Sequence, residues 1–137
     1  MSHPYFHAVS SVKIHGGRHE DYIDIHNWFD ATKAIIPDVR HRALRHHSEG
    51  IFECERVFGS TIKNSYGKIV PVRVIAEQHV KEDLGRIPTA SEWLSEMPLA
   101  PWMTNSKKLV ADIQLPDNRA TFSKKAEEIE DEYDIFK

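Results

Sequence analysis

Apolar residues recur in this sequence at spacings of three and four, in segments separated by glycine or proline. This spacing places apolar side chains on one face of a helix. Four such segments are expected at residues 4–14, 20–36, 38–58 and 72–84. They are bounded by Gly16-Gly17, Pro37, Gly59 and Gly85. The pattern predicts a mainly α chain that folds as a compact helical bundle.

Two stretches between and after these segments follow other patterns. Residues 61–70 contain two short β-prone runs around Asn64-Ser65-Tyr66-Gly67, which predicts one small β-hairpin. The run Thr89-Ala90-Ser91-Glu92 matches a capping box, in which two helix-end amides are capped reciprocally. It predicts a short helix that Pro98 ends, followed by a linker.

The end of the chain has its own amphipathic pattern. From Asn118 onward, apolar residues are spaced four, three, four and three apart on an otherwise acidic segment: Phe122, Ala126, Ile129, Tyr133 and Phe136. This predicts an acidic amphipathic C-terminal helix. We therefore expect a helical core domain at residues 1–103, and a linker with the acidic helix at residues 104–137.

Composition excludes several classes of protein. The 137 residues suit one domain, and a formal net charge of -3 provides no general basic field for nucleic-acid binding. A single cysteine, Cys54, cannot form an internal disulfide, and we expect it in the core of a cytoplasmic protein. No stretch approaches the roughly 18 apolar residues of a membrane helix. The first residues also lack a signal-peptide pattern, so we expect none.

Nine histidines are present, and their positions differ in kind. His26, His47 and His79 fall on the inward faces of three different predicted helices and are candidate metal ligands. His46 lies on the flank of one of these helices and is a candidate ligand in reserve. A buried imidazole needs a partner for each nitrogen, which a shared metal ion would supply. The others are expected on a basic face (His41) or exposed near the terminus or a glycine turn: His3, His7, His15 and His19.

Carboxylates accompany two of the inward histidines. Asp30 follows His26 by four residues, while Glu82 and Asp83 follow His79 by three and four. Nitrogen and oxygen ligands together suit zinc, iron or manganese. The alternative is that these histidines are structural and bond to the backbone or to those carboxylates. The sequence has neither an HExxH motif nor a cysteine-based zinc pattern.

The start of the third segment is basic, and Arg42 and Arg45 are candidate phosphate contacts. Acidic residues follow directly, so a solvated charged face is the alternative. The leading hypothesis is that the chain is a metal-binding domain. If it is an enzyme, this hypothesis makes it a metal-dependent hydrolase of a phosphate-containing substrate. Asp83 or Glu82 would serve as fourth ligand or general base. Whether the protein is an enzyme is left open at this point.

A second hypothesis belongs to another class. The protein would be a non-enzymatic interaction or assembly protein, and its histidines would be structural. Its C-terminal helix would bind a partner or a second subunit through Phe122, Ile129, Tyr133 and Phe136. The alternative for this helix is that it folds back on its own domain.

Several long motifs resemble a known family. The segments RHRALRHHSEGIFECERVFG and PVRVIAEQHVKEDLGRIPTASEWL resemble a small family of bacterial and phage proteins described as a domain of unknown function. HPYFHAVSSVKIHGG and IHNWFD are similar to its N-terminal part, so that the resemblance covers residues 3–103. It implies a bacterial or phage, cytoplasmic origin. It assigns no catalytic role to any residue.

Overall fold

The computed structural model describes residues 3–104 of the chain. Within this range the α-helices are α1 (Pro4–His15), α2 (Ile23–Asp30), α3 (Arg42–Arg45), α4 (Ser48–Phe58), α5 (Val72–Leu84), α6 (Ala90–Ser95) and α7 (Pro101–Thr104). Two strands, β1 (Thr61–Lys63) and β2 (Ile69–Pro71), form an antiparallel hairpin. The prediction of a mainly helical fold with one small hairpin is confirmed. The predicted C-terminal helix lies outside the described residues.

The described residues belong to two units, which are divided between Met97 and Pro98. In the first unit α5 lies at the centre and contacts α1, α2, α4 and both strands. Its buried residues are Val72, Ile75, Ala76, His79 and Val80, which form one helical stripe. Gly85 ends the helix in the left-handed conformation, with φ of 77°. This stripe runs from the apolar interior, at Val72 and Ile75, to the buried His79.

The hairpin is tied to the bundle through Asn64. Its Oδ1 atom accepts hydrogen bonds from the backbone amides of Tyr66 and Lys68, both at 3.0 Å, which closes the turn. Its Nδ2 atom donates to the hydroxyl of the buried Tyr22 at 3.1 Å. The Tyr22 hydroxyl in turn donates to the Gly16 carbonyl at 2.7 Å. These bonds satisfy the buried side chains of Asn64 and Tyr22.

The prediction of one continuous helix over residues 38–58 was wrong. A 3₁₀ helix (Val39–His41) leads into α3, which ends at Arg45. His46 follows it, and His47 is extended with φ of -160° before α4 begins. The chain turns so tightly that a Cβ on Gly50 would lie 1.8 Å from the Arg45 carbonyl oxygen. Only glycine fits there without a backbone shift. The break places the adjacent histidines in different environments.

The second predicted helix is also divided. Residues 20–36 form α2 flanked by two 3₁₀ helices, His19–Asp21 and Ala31–Ala34. Half of the predicted capping box is present at α6, where Thr89 Oγ1 accepts from the Glu92 amide at 3.1 Å. The Glu92 carboxylate contacts Arg86 Nη2 at 2.6 Å instead of returning to the Thr89 amide. Helix α7 lies in the stretch that was expected to be a linker. Among residues 3–104, we find no helix with the length and apolar character to span a membrane.

Candidate metal centre

Two histidines and two aspartates converge in the first unit. Asp30, His46, His79 and Asp83 each offer one nitrogen or oxygen atom, and these four atoms lie within 4.8 Å of one another. His46 Nε2 is 3.0 Å from Asp83 Oδ2 and 3.8 Å from Asp30 Oδ1. His79 Nε2 is 3.3 Å and 3.5 Å from the same two oxygens. The histidine nitrogens and aspartate oxygens therefore alternate around a small space.

Three segments of the chain supply these side chains. Asp30 is the last residue of α2, and His46 directly follows α3, where the helix breaks. His79 and Asp83 lie one turn apart on α5, so both point to the same side of that helix. The bundle brings the three segments together from residues that are distant in sequence.

The size of this space suits a metal ion. Zinc bonds to nitrogen and oxygen of about 2.0–2.2 Å imply ligand separations of roughly 3.3–3.5 Å in a tetrahedral site. The four nitrogen–oxygen separations run from 3.0 to 3.8 Å, which brackets that range. Shifts of a few tenths of an ångström in the side chains would complete the coordination.

Burial makes the arrangement costly without a cation. The side chains of His46 and His79 are fully buried, and those of Asp83 and Asp30 are 2% and 8% exposed. Among residues 3–104, His79 Nε2, His46 Nδ1 and Asp30 Oδ2 have no hydrogen-bond partner. An unsatisfied buried polar atom costs about 1–3 kcal/mol. A bound cation would give His79 Nε2 a partner and offset the two negative charges.

The ionisable groups favour the protonation states that metals bind. Burial raises the pKa of Asp83, but hydrogen bonds from His46 and His7, together with the nearby His79, lower it by more and hold that pKa well below its usual range. Burial also raises the pKa of Asp30, but the neighbouring His79, Lys33 and His46 together lower it by more. Burial lowers the pKa of His46. At neutral pH both carboxyl groups are therefore ionised, and His46 is uncharged.

His26, a predicted ligand, lies behind the centre and contacts His79. The two Nδ1 atoms are 2.9 Å apart, and His26 Nε2 is 2.8 Å from the Ser11 hydroxyl. Burial, with the neighbouring His79 and His7, lowers the pKa of His26 to about 2. His26 is accordingly a neutral imidazole that can hold His79 in place but does not reach the four ligand atoms.

His47, another predicted ligand, lies apart from the centre. Its Nδ1 atom accepts a hydrogen bond from the Gly50 amide at 2.9 Å and caps α4. Its Nε2 atom donates to the Ala43 carbonyl at 3.1 Å. Both nitrogens are satisfied by the backbone. His46, the reserve candidate of this adjacent pair, is the histidine that faces the carboxylates.

His7 was expected to be exposed, and that prediction was wrong. Its side chain is 1% exposed, with Nε2 at 3.1 Å from Asp83 Oδ1 and Nδ1 at 2.8 Å from Glu82 Oε1. Burial lowers the pKa of His7, yet hydrogen bonds to Asp83 and Glu82 raise it by more. The spacing of four between His7 and Ser11, with Ala8 beside them, was the available signal for an inward face.

The two predicted arginines have separate environments. Arg42 Nη2 lies 3.7 Å from Asp83 Oδ1, and its side chain is 13% exposed. Arg45 donates to the Trp28 carbonyl and places its guanidinium 4.1 Å from the centre of the Trp28 ring. Arg42 therefore borders the centre, whereas Arg45 is engaged in a cation–π contact elsewhere.

Glu82 lies on the solvent side of the centre. Its side chain is 31% exposed, and Oε1 accepts from Gln78 Nε2 at 3.0 Å as well as contacting His7. Burial raises the pKa of Glu82, but hydrogen bonds from Ser10, His7 and Gln78 lower it by more. Glu82 is thus an ionised carboxylate next to the centre, on the same helix as two of its four members.

Comparisons with known proteins identify the family alone. No curated protein matches the chain, and no solved structure matches it either. A family model described as "Domain of unknown function (DUF6915)" matches residues 2–103, which include all four members of the centre. Because this match spans well over half of the sequence, the chain belongs to the DUF6915 family.

Proposed function

We propose that this domain binds one divalent metal ion through Asp30, His46, His79 and Asp83. The observation that carries the proposal is the convergence of their four ligand atoms within 4.8 Å in a buried site. Two imidazoles and two carboxylates form a ligand set that suits zinc, iron or manganese. His26 and His47, which the sequence also suggested, are not among these ligands.

We further propose that the domain is a metal-dependent hydrolase of a phosphate-containing substrate. A divalent ion there would polarise a phosphoryl oxygen and activate a water molecule. Arg42 supports this reading because its buried Nε atom has no hydrogen-bond partner within residues 3–104. A guanidinium can bind two phosphate oxygens at once. Arg42 would therefore bind and orient the substrate anion at the edge of the centre.

Glu82 is the general base in this proposal. A base needs access to the reacting water and a fixed position. Glu82 is partly exposed, and His7, Gln78 and Ser10 hold its carboxylate. Asp83, the other candidate from the sequence, contacts both histidines of the centre and is assigned as a ligand instead.

Elemental analysis of untagged protein tests the metal site. We expect about one metal ion per chain in the wild type, and a large loss in His79→Ala because one of four ligands is removed. The matched control is His47→Asn, since asparagine can replace the helix cap that His47 provides. That variant should retain its metal. A folded wild type without metal, or equal loss in both variants, would contradict the site.

Hydrolysis of nitrophenyl phosphate mono- and diesters tests the enzymatic part. Activity should require the metal, and Arg42→Gln should lower kcat/KM by about 10-fold or more through loss of a charged contact to the anion, with metal content unchanged. Arg45→Gln is the control, because Arg45 contacts Trp28. Metal-loaded protein without activity on either ester would refute the hydrolase and leave the metal site standing.

A further inference from the structure

A series of hydrogen-bonding side chains extends from the centre into the protein interior. His79 presents Nε2 to the carboxylates and Nδ1 to His26 Nδ1, at 2.9 Å. His26 Nε2 then meets the Ser11 hydroxyl oxygen at 2.8 Å. All three residues are fully buried, so each nitrogen in the chain must be matched by its neighbour.

The Ser11 hydroxyl stands at a branch point. It lies 2.8 Å from Gln78 Oε1 and 3.1 Å from the His7 carbonyl oxygen, in addition to its contact with His26. These two oxygens can only accept, whereas an imidazole nitrogen can donate or accept. Since a hydroxyl has one proton, Ser11 either donates to His26 or donates to an oxygen and accepts from His26.

Gln78 is oriented to accept from Ser11. Its Nε2 atom donates to the His7 carbonyl at 3.0 Å and to Glu82 Oε1 at 3.0 Å. These two acceptors fix the amide nitrogen, so the amide oxygen must face Ser11. The surroundings of Ser11 therefore supply the acceptor for one arrangement, in which Ser11 donates to Gln78 Oε1 and accepts from a protonated His26 Nε2.

Each choice at Ser11 determines the tautomer of His79. If Ser11 donates to His26 Nε2, His26 donates from Nδ1 to His79 Nδ1, and His79 bears its proton on Nε2. If Ser11 donates to Gln78 Oε1, His26 donates from Nε2 and accepts at Nδ1. His79 then bears its proton on Nδ1, and its Nε2 lone pair faces Asp30 and Asp83. Only the second state leaves His79 Nε2 free to bind a cation.

We propose that Ser11 and His26 are positioning residues whose hydrogen-bond direction reverses when a metal ion binds, switching His79 from its Nε2–H to its Nδ1–H tautomer. The inference rests on the proposed metal site. Without a cation, an unprotonated Nε2 of His79 would point its lone pair at two ionised carboxylates, which is unfavourable. A proton on Nε2 removes that repulsion. With a cation, Nε2 is a ligand, and Nδ1–H donates to His26.

The protons balance in this reversal. His79 exchanges its Nε2 proton for one on Nδ1, and His26 exchanges its Nδ1 proton for one on Nε2, both with water during transient opening of the buried site. The Ser11 hydroxyl keeps its proton and turns from His26 Nε2 to Gln78 Oε1. Each residue ends with the number of protons with which it began.

Zinc titration of metal-stripped full-length protein tests the positioning role. By calorimetry with zinc chloride alone, His26→Leu should bind zinc about 10–100-fold more weakly, because His79 Nδ1–H loses its acceptor. His26→Gln should recover most of that affinity, since its amide can donate and accept. His47→Asn should bind as the wild type does. Circular dichroism before titration checks that each variant is folded.

Nitrogen-15 NMR of the wild type reads the tautomer directly. We expect His79 to carry its proton on Nε2 without metal and on Nδ1 with zinc bound. An unchanged tautomer would overturn the proposal, even if the leucine variant failed to fold. So would zinc binding by His26→Leu with wild-type affinity, in which case the metal centre would stand. A wild type that binds no zinc would end both proposals.

Discussion

The interior of this bundle has two regions of opposite character that share α5. The apolar region is built from Ile51, Cys54, Val70, Val72 and Ile75, all buried. The polar region is built from buried histidines and aspartates around His79. Burial stabilises the first region whatever it contacts, whereas the second is stable only if each buried nitrogen and oxygen has a partner. A chain that needed only stability would have little use for the second region.

The largest loss of stability is expected when Asp83, the acceptor that several side chains of the polar region share, is removed. Asp83 contacts His7, His46, His79 and Arg42, so Asp83→Ala leaves several buried donors without an acceptor. We expect a loss of about 3–5 kcal/mol in the free energy of unfolding of the metal-free protein. Urea denaturation followed by circular dichroism measures it. A loss below about 1 kcal/mol would mean that these contacts add little to folding.

Removing bulk from the apolar region should separate stability from metal binding. Ile75 is fully buried on α5, one turn from His79. Ile75→Ala should lower the free energy of unfolding by about 2–4 kcal/mol through lost burial and a cavity. Zinc affinity measured on the folded variant should stay near that of the wild type. A large loss of affinity would show that the two regions are coupled.

A metal ion should stabilise the protein through the polar region alone. At a free zinc concentration about 100 times Kd, linkage predicts a gain of about 2.7 kcal/mol in the free energy of unfolding. Thermal denaturation with and without zinc should show the rise in Tm for the wild type and for Ile75→Ala. Asp83→Ala should show a much smaller rise. An equal rise in all three proteins would place the ion elsewhere.

The smallest effect is expected at the surface. Asp21 accepts hydrogen bonds from the backbone amides of Arg18 and Ser65, both at 2.8 Å, and from the Ser65 hydroxyl. Asp21→Asn should cost a few tenths to about 1 kcal/mol, because Asp21 is only partly buried. Asp24→Asn, at an exposed aspartate, is the control.

The effect at Asp21 should depend on pH with a defined sign. Burial raises the pKa of Asp21, but the hydrogen bonds from Arg18 and Ser65 together lower it below the usual value. A depressed folded-state pKa contributes stability above the unfolded-state pKa, and this stability is lost as pH falls through the folded-state value. The difference in Tm between wild type and Asp21→Asn should therefore be full near neutral pH and shrink in acid. A difference that grows in acid would contradict this assignment.

Local patterns made much of the fold predictable. Glycine and proline marked the ends of α1 and α5, and the spacing of four placed His79 and Asp83 on one side of α5. The hairpin followed from its turn residues. These features depend on short-range backbone geometry, which a sequence states directly.

The choice of histidines could not be predicted in the same way. The break between α3 and α4 depends on the close approach of Gly50 to the Arg45 carbonyl, which helical spacing does not signal. It turns His46 toward the carboxylates and leaves His47 as a helix cap. His7 was missed because its place near the start of the chain suggested exposure, whereas packing of α1 on α5 buries it. Both outcomes arise from tertiary contacts.

Crystals of the protein soaked in zinc, with diffraction recorded on both sides of the zinc absorption edge, test the central claim most directly. We expect one anomalous peak bonded to Asp30, His46, His79 and Asp83, with bonds of about 2.0–2.2 Å. A peak coordinated by His47 or by surface histidines, or an empty centre in crystals that hold zinc elsewhere, would contradict it.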